Sequence, residues 1–160
     1  MSDPYEEILA GDITLRLPPG PRHELILARL QAALKTALEE SSVARLLEPR
    51  AQVRVNHSTA LRPDLTLVTA ANNKLCLAIE VISSDDHQTD TVFKKQIYED
   101  IKVPRLWIVD PRYDNIEVYH ATEYGLKLMG ILAGRDILDE KLLPKFRLTA
   151  AELFAAAPLK

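Results

Sequence analysis

Cysteine and tryptophan each occur once in the 160 residues and glycine only five times, and these scarcities remove whole classes of protein. The lone Cys76 has no partner for an internal disulfide, and in its apolar run it reads as a small buried hydrophobe. So few glycines leave no phosphate-cradling loop and no dinucleotide fingerprint. No HExxH or CxxC pattern occurs, and His57, His87 and His120 stand at no metal-ligand spacing from one another. A nucleophilic serine triad has no local support. No apolar stretch approaches the ~18 residues of a membrane span. The acidic beginning, MSDPYEEILA, carries no hydrophobic signal-peptide core, so the expectation is a cytoplasmic protein that does not engage membranes. A formal charge of −3 argues against a generally basic nucleic-acid binder, although a local basic groove is compatible with it.

What is present is ordinary in amount. An apolar fraction of 47% is enough for a core without metal or disulfide staples, and the length suits one domain over residues 1–160. No internal repeat or low-complexity segment appears. LPPGP separates a short alternating segment, GDITLRL, from a helix over about His23 to Leu38, where Ile26, Leu30, Ala33, Leu34 and Ala37 recur at helical spacing. In GDITLRL the apolar Ile13, Leu15 and Leu17 predict a half-buried strand with those three inward. AQVRVN, DLTLV and LCLAIEV follow as strands, with TAANNK as a turn between the last two. A second helix is predicted from about Asp90 to Ile101. RLWIVD then reads as a buried strand, DPRYDN as a hairpin turn, NIEVYH as a half-buried strand and YGLKLMGIL as an edge strand. Thr149 with Glu152 three residues later forms a capping-box pattern before a short tail helix. The fold class is α/β or α+β, a mixed sheet flanked by helices.

Glu80 is the anomaly. It sits in LCLAIEVISSDD among residues suited to a strand buried on both faces, where an unpartnered carboxylate costs several kcal/mol. Arg54 or Arg62 from a neighbouring strand would satisfy it as an ion pair. The other candidate is a cation shared with Asp64. A hairpin centred on Asn72 sets Asp64 opposite Glu80, with Cβ atoms ~5 Å apart. A two-residue turn at Asn72-Asn73 sets it opposite Val81 on the wrong face, so the pairing needs an odd loop, a bulge, or a bend at Pro63. Two carboxylates that close repel unless something positive lies between them, and Mg²⁺ typically takes one or two carboxylates plus waters. On the second helix, Asp90, Lys94 and Tyr98 form one stripe, with Phe93, Ile97 and Ile101 the apolar stripe about 100° away. Lys94 then leans toward the sheet while Lys95 points to solvent. An acidic pair with a metal and an ammonium suits phosphodiester hydrolysis.

RPDLTLV, LAIEVISSDD, DTVFKKQIY, VPRLWIVDP and IEVY, in that order and spacing, resemble the Uma-two family of restriction-endonuclease-like proteins, within the PD-(D/E)XK nuclease superfamily. The likeness runs from YEEI to the LF near the end and is strongest from Arg62 to Tyr119. It implies the nuclease core fold, DNA as substrate, Mg²⁺ (or Mn²⁺) as cofactor, and a homodimer that addresses two strands. Asp64 matches the family aspartate and Glu80 the acid of the next strand. Lys94 matches a lysine on the following helix, since the superfamily position two residues after the acid is Ile82 here. The Val81 carbonyl is implied as a further metal ligand. His23 matches a family histidine, while its plainer reading is a helix-start residue with a structural hydrogen bond. Two departures stand beside the triad: Ser83-Ser84 where the family has serine-proline, and Lys102 where it has glycine. The alternative to an active nuclease is an inactive module of the same fold that binds nucleic acid or a protein.

Overall fold

The computed structural model describes residues 4–17, 19–82 and 89–156, with the backbone alone at 89 and 90. In chain order the elements are β1 (Tyr5–Leu9), β2 (Asp12–Arg16), α1 (Pro21–Leu38), β3 (Ala44–Leu46), β4 (Val53–Asn56), β5 (Thr59–Leu61), β6 (Leu65–Thr69), β7 (Leu75–Val81), α2 (Thr89–Asp100), β8 (Arg105–Asp110), β9 (Asn115–Thr122), β10 (Gly125–Ala133), β11 (Ile137–Glu140), β12 (Leu143–Thr149) and α3 (Ala150–Phe154).

A six-stranded sheet ordered β10-β9-β8-β7-β6-β3 forms the spine. β7 and β8 run parallel, joined by the crossover through α2, while β6 and β9 flank them antiparallel. This is the mixed sheet flanked by helices that the sequence predicts, and no described helix is long and apolar enough to cross a membrane. A smaller sheet, β2-β1-β5-β4, supplies a wall; GDITLRL and AQVRVN give its β2 and β4, while β1 and β5 are strands the sequence reading does not assign.

The side chains of the central strands alternate between two cores. Leu77, Ile79 and Val81 of β7, with Trp107 and Val109 of β8, face α1 and α3. Ala78 of β7, with Leu106 and Ile108 of β8, belongs to the other core, together with Tyr98 of α2 and Leu9 and Leu61 of the smaller sheet. Glu80, one pleat on from Ala78, therefore faces α2. Cys76 is buried and its thiol donates to the Leu67 carbonyl at 3.3 Å, as a small core residue does. The capping box forms as read: the Thr149 hydroxyl accepts from the Glu152 N–H, and the Glu152 carboxylate accepts from the Thr149 N–H.

The hairpin register decides the site. Leu65 pairs with Ile79, Thr66 with Ala78 and Leu67 with Leu77, which carried one step further sets Asp64 opposite Glu80. A bulge between Leu67 and Val68 makes this possible, because it shifts the pairing to Val68 with Leu75 before the turn, where Asn73 takes a positive φ of 55°. Lys102 adopts the left-handed conformation, φ 57°, that the family's glycine would take freely. Its N–H bonds to the Glu99 carbonyl and that of Val103 to the Tyr98 carbonyl, closing the end of α2.

Three local expectations are corrected. GDITLRL is a strand, but Ile13, Leu15 and Leu17 are all more than 60% exposed, and Arg16 faces inward. A buried carboxylate, described below, draws the arginine in and reverses the face that hydrophobicity alone selects. On α2 the polar stripe is the buried one: Lys94 is 4% and Tyr98 0% exposed, while Phe93 stands out at 44%. Lys95, expected in solvent, is partly covered and lies over the Tyr119 ring, 4.4 Å from its centroid. The SSDD end of LCLAIEVISSDD, including the serine pair, and the side chain of Asp90 lie outside the described residues.

Candidate active site

The carboxyl end of β7, the mouth of β6, the start of α1, the buried stripe of α2 and the β1–β2 hairpin line one cleft. Asp64, Glu80, Val81 and Lys94 all line it, as do His23, Glu7, Tyr5 and Tyr98. The residues singled out in the sequence are therefore brought together in one cleft.

Asp64 enters β6 behind Pro63, which biases the preceding residue toward extended backbone. It is 4% exposed. Its Oδ2 accepts the Val81 N–H at 2.8 Å, which ties it to the backbone of the neighbouring strand. Its Oδ1 is buried and meets no hydrogen bond, although His23 Nε2 lies at 3.5 Å and Arg50 Nε at 3.4 Å. Burial opposes the Asp64 charge, but the approach of His23, the Val81 N–H and the charge of Arg50 outweigh it and hold the carboxyl below its usual range. His23 moves the other way: burial opposes its charge, and the Asp64 carboxylate more than compensates. Its Nε2 also lies 3.0 Å from the Val81 carbonyl oxygen. The helix-start histidine thus has the structural hydrogen bond of its plainer reading, made to the very carbonyl that the family likeness implies as a ligand.

Glu80 projects from β7 toward α2 and is partly buried. Lys94 Nζ lies 2.7 Å from its Oε2, and the Tyr98 hydroxyl donates to the same oxygen at 2.5 Å. Neither arginine offered as its partner reaches it. Arg54 donates to the Asn56 and His57 carbonyls, and Arg62 to those of Glu6 and Arg50. Burial pushes Glu80 up to about 8; Lys94 pulls against this, and Glu7 and Asp64 add to it. A carboxyl raised from its ordinary 4.5 stabilises the fold most below that value, and the contribution is lost as pH rises through about 8.

Glu7 is the residue that sequence reasoning missed. Its side chain is completely buried and binds Arg16, the Arg62 N–H and Lys94. The signal lay in the period of YEEIL, where Tyr5, Glu7 and Leu9 share one face and a carboxylate sits between two residues suited to a core.

Among the described residues no group of three His, Cys, Asp or Glu is arranged as a ready metal cage. Mg²⁺ does not need one, because one or two carboxylates and waters satisfy it. The buried Asp64 Oδ1 without a hydrogen bond, beside Glu80 and the Val81 carbonyl, is an all-oxygen donor set that fits such an ion.

The mixed sheet thus carries Asp64 and Glu80 at adjacent strands, with Lys94 on the helix that joins its parallel pair. The Uma2 family, described as "Putative restriction endonuclease", matches residues 2–151, and the chain belongs to it. The structure is similar to a crystal structure from Anabaena variabilis described as "a putative nuclease belonging to DUF820". The TM-score is 0.80 at 16% identity over 96% of this chain and 92% of that one, which establishes the shared fold. No curated protein matches.

Proposed function

We propose that the protein is a metal-dependent endonuclease that hydrolyses phosphodiester bonds of DNA, with Mg²⁺ (Mn²⁺ in its place) held by Asp64, Glu80 and the Val81 carbonyl. The observation that carries this reading is the convergence of Asp64, Glu80 and Lys94 on one cleft, with a buried carboxylate oxygen that meets no hydrogen bond. Membership of a family described by restriction-endonuclease activity supports the reaction class. When bound, the metal supplies Lewis-acid polarisation of a phosphoryl oxygen and a lowered pKa for water.

The chain's own residues do the rest. The Val81 N–H fixes one Asp64 oxygen and leaves the other without a hydrogen bond. Tyr98 orients Glu80 through its hydroxyl. As water adds to phosphorus and the bond to the leaving oxygen breaks, negative charge grows on the non-bridging oxygens. The Lys94 ammonium, fixed in advance within the cleft, offsets that charge without reorganising. A homodimer joined through the open edge of β10, where Leu128, Met129 and Ile131 are exposed, would bring two such sites to a duplex. The tail helix is a poorer joint, because Leu153 and Phe154 are already in the core.

Cleavage of plasmid DNA by the purified chain tests the proposal. Nicking or linearisation is expected with Mg²⁺, none after chelation with EDTA, and recovery when excess Mg²⁺ is restored. Cleavage that persists in EDTA, or that Glu80→Gln leaves unchanged, overturns it. DNA binding without cleavage under all metal conditions points instead to an inactive nuclease-fold module.

A further inference from the structure

Lys94 is held by two carboxylates, and only one of them belongs to the acidic pair. Glu7 Oε1 accepts from Arg16 Nε at 2.9 Å and from Lys94 Nζ at 3.1 Å. Its Oε2 accepts from the Arg62 N–H at 2.7 Å and from Lys94 Nζ at 2.9 Å. A carboxylate has about four lone-pair positions, and here four hydrogen bonds from three donors occupy them. Glu7 thus has no lone pair left for a metal, although it lies in the same cleft as Asp64 and Glu80. Its partners are also informative. Arg62 is two residues before Asp64, so one carboxylate grips both the turn that delivers the aspartate and the ammonium from α2.

We propose that Glu7 is the positioning residue of this site, holding Lys94 and the Arg62–Asp64 turn in one frame so that the ammonium stays aimed into the cleft when Glu80 turns to a cation. The inference rests on reading the cleft as a metal-dependent phosphodiesterase site. It explains two features that hydrophobic patterning does not. Arg16 points inward at the expense of the β2 apolar face, because its guanidinium balances Glu7. The lysine stripe of α2 is buried in preference to Phe93, because Glu7 and Glu80 both lie beneath it. A lysine reaches its target on a flexible four-carbon stem, so a fixed anchor behind the ammonium sets its aim. Small misplacements of a group in such a site cost roughly 10²-fold in rate.

The test separates this role from both a ligand role and a purely structural one. In the full chain, Glu7→Gln is expected to lower kcat about 10–100-fold, with KM for DNA and the affinity for Mn²⁺ unchanged. Added to Lys94→Met, the same substitution is expected to lower the rate no further. A readout independent of cleavage is the ammonium proton signal of Lys94 in ¹⁵N-labelled protein, which a buried, hydrogen-bonded lysine retains against exchange. It is expected to survive Glu80→Gln and to vanish in Glu7→Gln; where the latter fails to fold by circular dichroism, Glu7→Asp takes its place. Loss of Mn²⁺ affinity in Glu7→Gln, an unchanged kcat, additivity with Lys94→Met, or an ammonium signal that survives without Glu7 each overturns the proposal. Absence of cleavage in the unmodified chain defeats the phosphodiesterase reading instead, and the spectroscopic comparison still decides what holds Lys94.

Discussion

Asp64→Asn is expected to reduce Mg²⁺-dependent DNA cleavage roughly 10²–10³-fold, the equivalent of about 3–4 kcal/mol of transition-state stabilisation. The substitution keeps the shape of the side chain and changes its charge. In the present structure Oδ2 accepts the Val81 N–H, and Oδ1 faces His23 and Arg50 without a hydrogen bond. Asparagine keeps the first bond by placing its carbonyl oxygen on Val81, which turns its amide NH₂ toward two groups that are themselves donors. The oxygen offered to a cation is gone, and the Arg50 side chain loses one of its acidic neighbours. A fold cost of about 1–3 kcal/mol accompanies this, in the range for removing one member of a buried polar set. Activity and stability are to be measured on the same preparation, by plasmid cleavage and urea unfolding. Cleavage at the unmodified rate by a folded Asp64→Asn chain removes this residue from the site.

Lys94→Met is expected to lower the cleavage rate about 10²–10³-fold while leaving Mn²⁺ binding intact or tighter. Methionine keeps most of the aliphatic stem and deletes the ammonium that lies 2.7 Å from Glu80 and 2.9 Å from Glu7. Breaking a buried ion pair by removing one partner typically costs 3–5 kcal/mol, because the other charge is left uncompensated. Two features reduce that cost here. Glu7 keeps Arg16 and the Arg62 N–H. Glu80, already pushed up to about 8 by burial, holds its proton near neutral pH and so leaves little charge uncompensated. The expected loss of stability is therefore about 1–3 kcal/mol, small beside the kinetic effect. Loss of Mn²⁺ affinity in this variant assigns Lys94 a role in building the metal site instead of acting on the phosphoryl group.

The legible part of the fold was the part in which one face of an element is apolar and the other is not. Helix α1 follows Ile26, Leu30 and Leu34, and the tail helix follows its capping box. Glu80 was legible because a charge inside an apolar strand is costly and has few remedies. The register that sets it opposite Asp64 was only one of two options, and a bulge at Val68, which no residue there announces, decides between them. The faces of α2 and β2 were misread for one shared reason. Charge pairing within the cleft turns Lys94, Tyr98 and Arg16 inward, and neighbours distant in sequence supply the partners. Glu7 is 87 residues from Lys94 and 55 from Arg62, separations that local periodicity does not register. Of the smaller sheet, β2 and β4 were read as strands; β5, with three residues, is too short to show a period, and β1 turns the charged Glu7 inward.

A crystal of the protein grown with Mn²⁺ tests the central claim most directly, because the ion's anomalous signal locates it without reference to activity. The expected result is one peak within coordination distance of Asp64 Oδ1, a Glu80 oxygen and the Val81 carbonyl, with Lys94 still bound to Glu7. A structure in which Lys94 and Tyr98 keep Glu80 as they hold it now, with manganese absent from the cleft or bound elsewhere, contradicts the assignment of Asp64 and Glu80 as metal ligands.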